Sequence, residues 1–151
     1  MLSNYAWSLE QATISQQITL ASYCGHAQYA TYDFTNARAG FTDKIVGFQM
    51  TSIIYNKAND TNGFVGFLPS DKSIYVAFRG SESISNWLSD FNADKDPYRL
   101  SPECNCEVHS GFQNCTESVS AQVLAEVQRL KALYPTYSVK TTGHSLGAAL
   151  A

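Results

Sequence analysis

The stretch that decides the fold of this chain is Thr141-Thr142-Gly143-His144-Ser145-Leu146-Gly147-Ala148-Ala149-Leu150-Ala151. A serine with a glycine two residues away on either side is the pattern of a nucleophile elbow, where a strand turns sharply into a helix. We expect this turn to press Gly143 and Gly147 against neighbouring strands, so that a Cβ atom at either position would clash. A helix beginning at Ser145 would aim its first amide groups at a developing oxyanion. The pattern therefore predicts Ser145 as a catalytic nucleophile.

The composition limits the classes of function. The 151 residues are enough for one domain with a hydrophobic core, and 44% of them are hydrophobic. Charged residues make up only 15%, against about 25% in an ordinary soluble domain. The net charge of −3 argues against a nucleic-acid partner, because no basic patch could neutralise the phosphates.

Targeting signals are the next question. No run approaches the roughly 18 apolar residues of a membrane span, so we expect no transmembrane segment. The first residues include Glu10 and many Gln, Ser and Thr, which does not fit a signal peptide. The uncharged polar surface and the four cysteines favour an oxidising compartment. We expect a secreted protein whose signal peptide is not part of this sequence.

The first half of the chain is predicted to form a helix and three strands. Ser8-Leu9-Glu10-Gln11 is a capping box, with Ser8 as N-cap and Gln11 reaching back, and its helix stops at Gly25. Asn62-Gly63 is a hairpin-turn signal. The three predicted strands are 44–55, 64–68 and 73–78, the last one covered on both faces.

The second half supplies the context that an elbow needs. Ser110-Gly111-Phe112-Gln113 is another capping box, and it opens the longest helix after a brief strand at Val108-His109. Pro135 ends this helix, and a short strand through Val139 runs into the elbow. One face of the helix is apolar: Cys115, Val119, Val123, Val127 and Leu130.

A serine nucleophile needs hydrogen-bond donors for the oxyanion, each worth about 3–4 kcal/mol. One donor is usually the amide of the residue after the nucleophile, here Leu146. The other comes from a loop after a neighbouring strand. The stretch Tyr75-Val76-Ala77-Phe78-Arg79-Gly80-Ser81 supplies such a loop, in which Gly80 allows the turn and Ser81 offers an amide and a hydroxyl.

Four segments, in this order and spacing, resemble the fungal-type class 3 lipases from about residue 9 onward. They are Phe78-Arg79-Gly80-Ser81, Asn86-Trp87-Leu88-Ser89-Asp90, Val108-His109-Ser110-Gly111-Phe112 and Gly143-His144-Ser145-Leu146-Gly147. The resemblance implies an α/β-hydrolase fold, with a mixed sheet and flanking helices. Residues 1–151 would be the N-terminal portion of one catalytic domain, truncated after the nucleophile strand and elbow. The implied function is a triacylglycerol lipase without a cofactor, forming an acyl-enzyme on Ser145 with Ser81 and Leu146 as its oxyanion hole.

The resemblance also places a mobile lid at about residues 82–94. The residues support this independently, because four apolar side chains fall on one stripe at helical spacing: Ile84, Trp87, Leu88 and Phe91. Such a stripe would contact the lipid substrate and turn outward onto an oil–water or membrane surface. Asp90 would tether the lid through the Ser81 hydroxyl. Trp87 fits ordinary core packing equally well.

The catalytic triad is incomplete in this sequence. In this fold its order along the chain is Ser, then Asp or Glu, then His, and no acidic residue or histidine follows Ser145. We expect the acid and the base outside this chain. The 151 residues alone would then be inactive as an esterase, poorly soluble and low-melting. Two alternatives stay open: a phospholipase A1 or a feruloyl or aryl esterase of the same family, and a non-catalytic lipid-binding remnant.

The three histidines and one acidic segment are given no catalytic role. His109 is expected to hydrogen-bond behind the site, His144 to support the elbow while pointing away from the nucleophile, and His26 to lie on the surface. Asp90-Phe91-Asn92-Ala93-Asp94 is similar to the start of a calcium loop, but Lys95 stands where that loop needs glycine. We therefore expect no metal site.

Two sequons for N-glycosylation are present, Asn59-Asp60-Thr61 and Asn114-Cys115-Thr116. The first lies in a predicted turn and is usable. The second lies inside a predicted helix, and we expect it to stay unmodified.

The four cysteines allow three pairings among themselves. Cys104 and Cys106 are too close in sequence to pair comfortably with each other. Each is therefore expected to seek Cys24, Cys115 or a partner outside this chain. A buried free thiol is the alternative for Cys115.

Overall fold

A helix and a run of strands come first along the chain, followed by a long helix, a strand and the elbow, as the sequence predicts. The computed structural model describes residues 7–24, 42–81 and 94–151. Its elements are helix α1 (Leu9–Ala21), strands β1 (Gln49–Asn56), β2 (Thr61–Leu68), β3 (Ser73–Phe78), β4 (Lys95–Pro97) and β5 (Glu107–His109), helix α2 (Ser110–Leu133), strand β6 (Ser138–Gly143) and helix α3 (Leu146–Leu150).

Four strands form a mixed sheet in the order β1-β2-β3-β6. The pairs β1–β2 and β2–β3 are antiparallel, whereas β3 and β6 run parallel, with Phe78 opposite Gly143. Strands β4 and β5 make a separate two-stranded ribbon. Because the carboxyl ends of β3 and β6 share one edge of the sheet, the loops after both strands meet there.

Helices cover both faces of this sheet, which confirms the predicted α/β architecture. Strands β2 and β3 are buried along their whole length, and their side chains alternate between two cores. The core beneath α1 contains Ile14, Ile18, Ala21, Ile45, Phe48, Phe64, Leu68, Tyr75 and Ala77. The core beneath α2 and α3 contains Ile54, Val65, Phe67, Ile74, Val76, Phe78, Val119, Leu130, Leu146 and Leu150.

The predicted apolar face of the long helix is confirmed. Val119 and Leu130 of α2 are buried, and Cys115, Val123 and Val127 pack against the same core. Strand β6 forms one edge of the sheet among the described residues, and Val139 on it is 46% exposed.

The first hairpin turns earlier than predicted. Strand β1 begins at Gln49, and the turn after it lies at residues 57–60, so Asn62 and Gly63 belong to β2. The Asn56 carboxamide starts the turn by accepting bonds from the amides of Ala58 and Asn59. Gly63 serves close packing instead of turning, since a Cβ atom there would lie 2.2 Å from the Ala77 carbonyl oxygen.

The two capping boxes are each confirmed only in part. Ser8 caps α1 by accepting a bond from the Gln11 amide at 3.4 Å, but the Gln11 side chain reaches Asp71 instead of the cap. At α2 the cap is His109, whose Nδ1 accepts bonds from the amides of Gly111 and Phe112 at 3.1 and 3.4 Å. The sequence placed the cap one residue too late.

The prediction that Cys104 and Cys106 would not pair is wrong. They form a disulfide with their Cα atoms 5.2 Å apart. A short helical turn, Pro102–Cys104, followed by Asn105 in the left-handed region (φ 50°), folds the chain back and brings the two sulfurs together. Cys24 and Cys115 carry free thiols.

Candidate active site

Ser145 occupies the junction between β6 and α3 in a strained backbone conformation. Its φ of 54° and ψ of −123° lie in a region that residues with a Cβ atom rarely adopt, at a cost of about 1–3 kcal/mol. Helix α3 begins directly after this residue, because the Ser145 carbonyl accepts bonds from the amides of Ala148 and Ala149 at 3.0 and 3.3 Å. The Ser145 side chain is exposed. This is the geometry of a nucleophile elbow.

The two glycines of the motif allow close backbone contacts, but they do so in different places. A Cβ atom on Gly147 would lie 2.3 Å from the Phe78 carbonyl oxygen, at the end of the neighbouring strand β3. A Cβ atom on Gly143 would lie 2.2 Å from the carbonyl oxygen of Gly147 itself. The predicted contact with a neighbouring strand is therefore correct for Gly147, whereas Gly143 packs against the first turn of α3.

The loop after β3 reaches the elbow, as the sequence predicts. The Arg79 amide extends the ladder beyond the strand by donating to the Asn62 carbonyl at 2.8 Å. At Gly80 a Cβ atom would lie 2.8 Å from the His144 carbonyl oxygen and 3.3 Å from the Ser145 Cβ. Ser81 follows directly and is buried, 6% exposed. The structure thus brings the two predicted oxyanion loops into contact.

Leu146, the other predicted donor residue, has its side chain buried in the core beneath α2, at 4% exposure. This anchors the start of α3 and therefore fixes the direction of its first amides. The amides of Gly147 and Ala148 are consumed inside the turn, by the carbonyls of His144 and Ser145.

Tyr23 is a residue that the sequence analysis missed. Its hydroxyl lies 2.7 Å from Nδ1 of His144, and a Cβ atom on Gly80 would come within 2.4 Å of the same hydroxyl. Tyr23 thus contacts both loops of the site, and it gives His144 the supporting role that the sequence predicted. The sequence offers one weak signal for this residue, which is that Tyr23 lies close in sequence to the end of α1.

A groove of about 860 Å³ opens beside the elbow, between α1 and the end of β6. Its walls combine apolar surface with the polar atoms of the site: Ala12, Gln16, Thr19, Leu20, Tyr23, Ser81, Thr142, Gly143 and His144. Two side-chain bonds join these walls, one between the hydroxyls of Thr19 and Thr142 at 2.7 Å and the other between Tyr23 and His144. The groove can hold an apolar chain with its polar end at the elbow.

The other residues singled out in the sequence, where the structure describes them, are not part of this arrangement around Ser145. His109 uses Nδ1 to cap α2, and its ring packs at a tilt against Phe112, so it has the structural role predicted for it. Among the described residues there is no cluster of three metal-ligating side chains, and no helix long and apolar enough to cross a membrane. His26 and the predicted lid residues Ile84, Trp87, Leu88, Asp90 and Phe91 lie outside the described residues.

Comparison with known proteins agrees with this geometry. The profile of the family described as Lipase (class 3) matches residues 75–151. A lipase of Rhizomucor miehei is 35% identical over 95% of this chain, which covers 38% of that protein. A secreted alkaline triacylglycerol lipase of Penicillium cyclopium is 33% identical over 76% of this chain and 41% of its own length.

The structural comparison gives the same result. The solved triacylglyceride lipase of Rhizomucor miehei superimposes with a TM-score of 0.79 and 31% identity, over 96% of this chain and 53% of the lipase. The chain therefore spans about 40% of the length of these two sequence relatives and about half of the solved lipase. On the matched residues, the elbow and the shared fold, the chain belongs to the class 3 lipase family.

Proposed function

We propose that the protein hydrolyses carboxylic esters of acylglycerols through an acyl-enzyme on Ser145, with Ser81 and Leu146 stabilising the oxyanion. The observation that carries this proposal is the strained, exposed Ser145 in contact with the loop of Gly80 and Ser81. A serine held this way faces an incoming carbonyl, while two loops supply donors to its oxygen.

The general base comes from outside these 151 residues in this proposal. Of the two histidines that the structure describes, His109 uses Nδ1 to cap α2 and His144 uses Nδ1 to contact Tyr23. His144 also neighbours Ser145 in the chain. The triad order of the α/β-hydrolase fold places the acid and then the histidine after the nucleophile. Without that base the serine is a neutral hydroxyl and a poor nucleophile.

The test compares ester hydrolysis by two serine variants of the protein together with the sequence that naturally follows Ala151. Ser145→Ala is expected to lower kcat by at least about 10⁴-fold with the fold intact. Ser138→Ala is the matched control, because Ser138 is an exposed serine at the opposite end of β6. Unchanged turnover in Ser145→Ala would falsify the proposal.

Residues 82–94 form a lid in this proposal, on the evidence of their apolar stripe alone. Replacing Trp87 and Leu88 by Ser should reduce hydrolysis of emulsified triacylglycerol more than hydrolysis of a soluble short-chain ester. Equal losses on both substrates would favour a fixed packing role and an esterase. The lipid surface that the lid would contact belongs to the same proposal.

Two observations support acylglycerols and an extracellular location. The groove beside Ser145 has mainly apolar walls, which suits an acyl chain. One relative is named a secreted triacylglycerol lipase. We therefore propose that the protein is secreted.

A further inference from the structure

We propose that Asn59 is an N-glycosylation site and that its glycan stands at the end of the sheet where Ser145 lies. The reaction joins the Asn59 side-chain nitrogen to the anomeric carbon of a sugar. The bond from that carbon to the diphosphate of a lipid-linked oligosaccharide breaks, and the amide proton leaves. The carrier is the co-reactant, and a secretory compartment supplies it.

The first sequon begins in a turn that leaves its asparagine accessible. Asn59 is exposed in the turn between β1 and β2. The Thr61 hydroxyl lies beside the asparagine, because it donates to the Asn59 carbonyl at 3.4 Å. The intervening Asp60 has a φ of 45°, so the chain folds back here. The folded protein buries the Thr61 side chain, which is 1% exposed, so the modification has to precede the pairing of β2.

The second sequon has the opposite geometry. Asn114 and Thr116 lie in α2, and residues two apart on a helix do not face each other. The Asn114 carboxamide oxygen also accepts a bond from the Arg99 guanidinium at 2.9 Å. Once this helix has formed, Asn114 and Thr116 cannot be presented together to the glycosylating enzyme.

Asn59 lies at the same end of the sheet as the candidate active site. Asp60 pairs with Arg79 at 3.2 Å, and Arg79 directly precedes the loop of Gly80 and Ser81. The turn thus lies at the same edge of the sheet as the elbow. Strands β2 and β6 are two positions apart in the sheet, or roughly 10 Å. The Cys115 thiol of α2 donates to the Asn59 carbonyl at 3.6 Å, whereas the groove lies between α1 and β6. A glycan on Asn59 would therefore stand at the same end of the sheet as Ser145, on the side of α2.

The experiment is translation of the chain, behind a cleavable secretion signal, in the presence of microsomes. Gel mobility is then compared with and without an endoglycosidase. The variants are Asn59→Gln, Asn114→Gln and Thr61→Ser, the last of which keeps a valid sequon. We expect one glycan on the wild type, on Asn114→Gln and on Thr61→Ser, and none on Asn59→Gln.

The other outcomes would overturn the proposal. An unmodified wild type would exclude Asn59 as a site, because the signal delivers every chain to the glycosylating compartment. A glycan that survives in Asn59→Gln and disappears in Asn114→Gln would assign the wrong sequon. The assay does not involve ester hydrolysis, so its result is independent of the proposed function.

Discussion

The two ends of the parallel pair β3 and β6 differ: one end has a polar group on a strained backbone, and the other has polar groups that are hydrogen-bonded to each other. At the carboxyl end, Ser145 holds a strained backbone and an exposed hydroxyl, and the backbones around it approach so closely that Gly147 admits no Cβ atom. At the amino end, a network of hydrogen bonds joins α1, the turn before β3 and β6.

The network at the amino end centres on Asp71. Its carboxylate accepts bonds from the Tyr75 hydroxyl at 2.6 Å, the Gln11 amide at 2.7 Å and the Lys140 ammonium at 2.8 Å. Lys140 also lies 5.6 Å from the centre of the Tyr75 ring. Burial, followed by the bond to Asp71, raises the pKa of Tyr75 far above its usual value.

The difference shows that this fold is stabilised at one end of the strand pair and carries its reactive serine at the other. The end with paired polar groups holds the helix and strands together. The end with strain and close contacts presents a serine that the rest of the structure must force into place. Removing a paired polar group at the amino end should therefore destabilise the fold. At the carboxyl end, filling a close contact should destabilise it, whereas relieving the strain at Ser145 should stabilise it.

The largest expected effect is at Gly147. Gly147→Ala should destabilise the protein by at least about 3 kcal/mol, because the new methyl group would meet backbone atoms of β3 that cannot move independently. Urea denaturation measures the change. Ala149→Ser, on an exposed position of the same helix, is the control and should change stability by less than about 0.5 kcal/mol. Similar stability of the two variants would contradict the packing described here.

The next effect is at Asp71. Asp71→Asn should cost about 1–3 kcal/mol at neutral pH, because the Lys140 ammonium loses its charged partner. Asp96→Asn is the control, since Asp96 pairs with Arg99 at an exposed site and should cost much less.

The same pair of variants tests the pH dependence. Burial alone would raise the pKa of Asp71, but its hydrogen bonds, led by the one from Lys140, hold the pKa below the usual value. A carboxyl with a lowered folded-state pKa stabilises fully above its unfolded pKa, and loses this contribution as the pH falls through the folded pKa. The advantage of wild type over Asp71→Asn should therefore shrink in acid. A constant advantage down to the acid transition would show that the charge of Asp71 is not what matters.

The smallest effect is a gain at Ser145. Ser145→Gly should stabilise the fold by about 1 kcal/mol, because glycine adopts a φ of 54° without steric cost. Ser145→Ala keeps the Cβ atom and should leave stability nearly unchanged. The comparison is again made by urea denaturation. If the glycine variant is no more stable than the alanine variant, the elbow is not strained.

The sequence predicted best those features that depend on a short local pattern of residue types. The pattern around Ser145 predicted the elbow, and the apolar run at 73–78 predicted a strand buried on both faces. Both depend on local chemistry. One error fell where a tertiary contact decides, because Gly63 leaves room for the Ala77 carbonyl of the neighbouring strand. The other was local, because His109 and not Ser110 accepts the first amides of α2.

Two contacts could not be predicted from the sequence, each for its own reason. Tyr23 meets His144 only after α1 has packed beside β6, and nothing in their separate patterns links them. The Cys104–Cys106 disulfide depends on a left-handed Asn105 that the composition of the loop does not reveal.

The sheet order has a consequence for how the protein folds. Strands β1, β2 and β3 are joined by short turns, so their pairing closes small loops and is expected early. Strand β6 pairs with β3 only after the long connection through α2 has been closed. The strained turn at Ser145 follows β6 directly. We therefore expect the nucleophile to reach its final conformation last, once the rest of the sheet is able to hold it there.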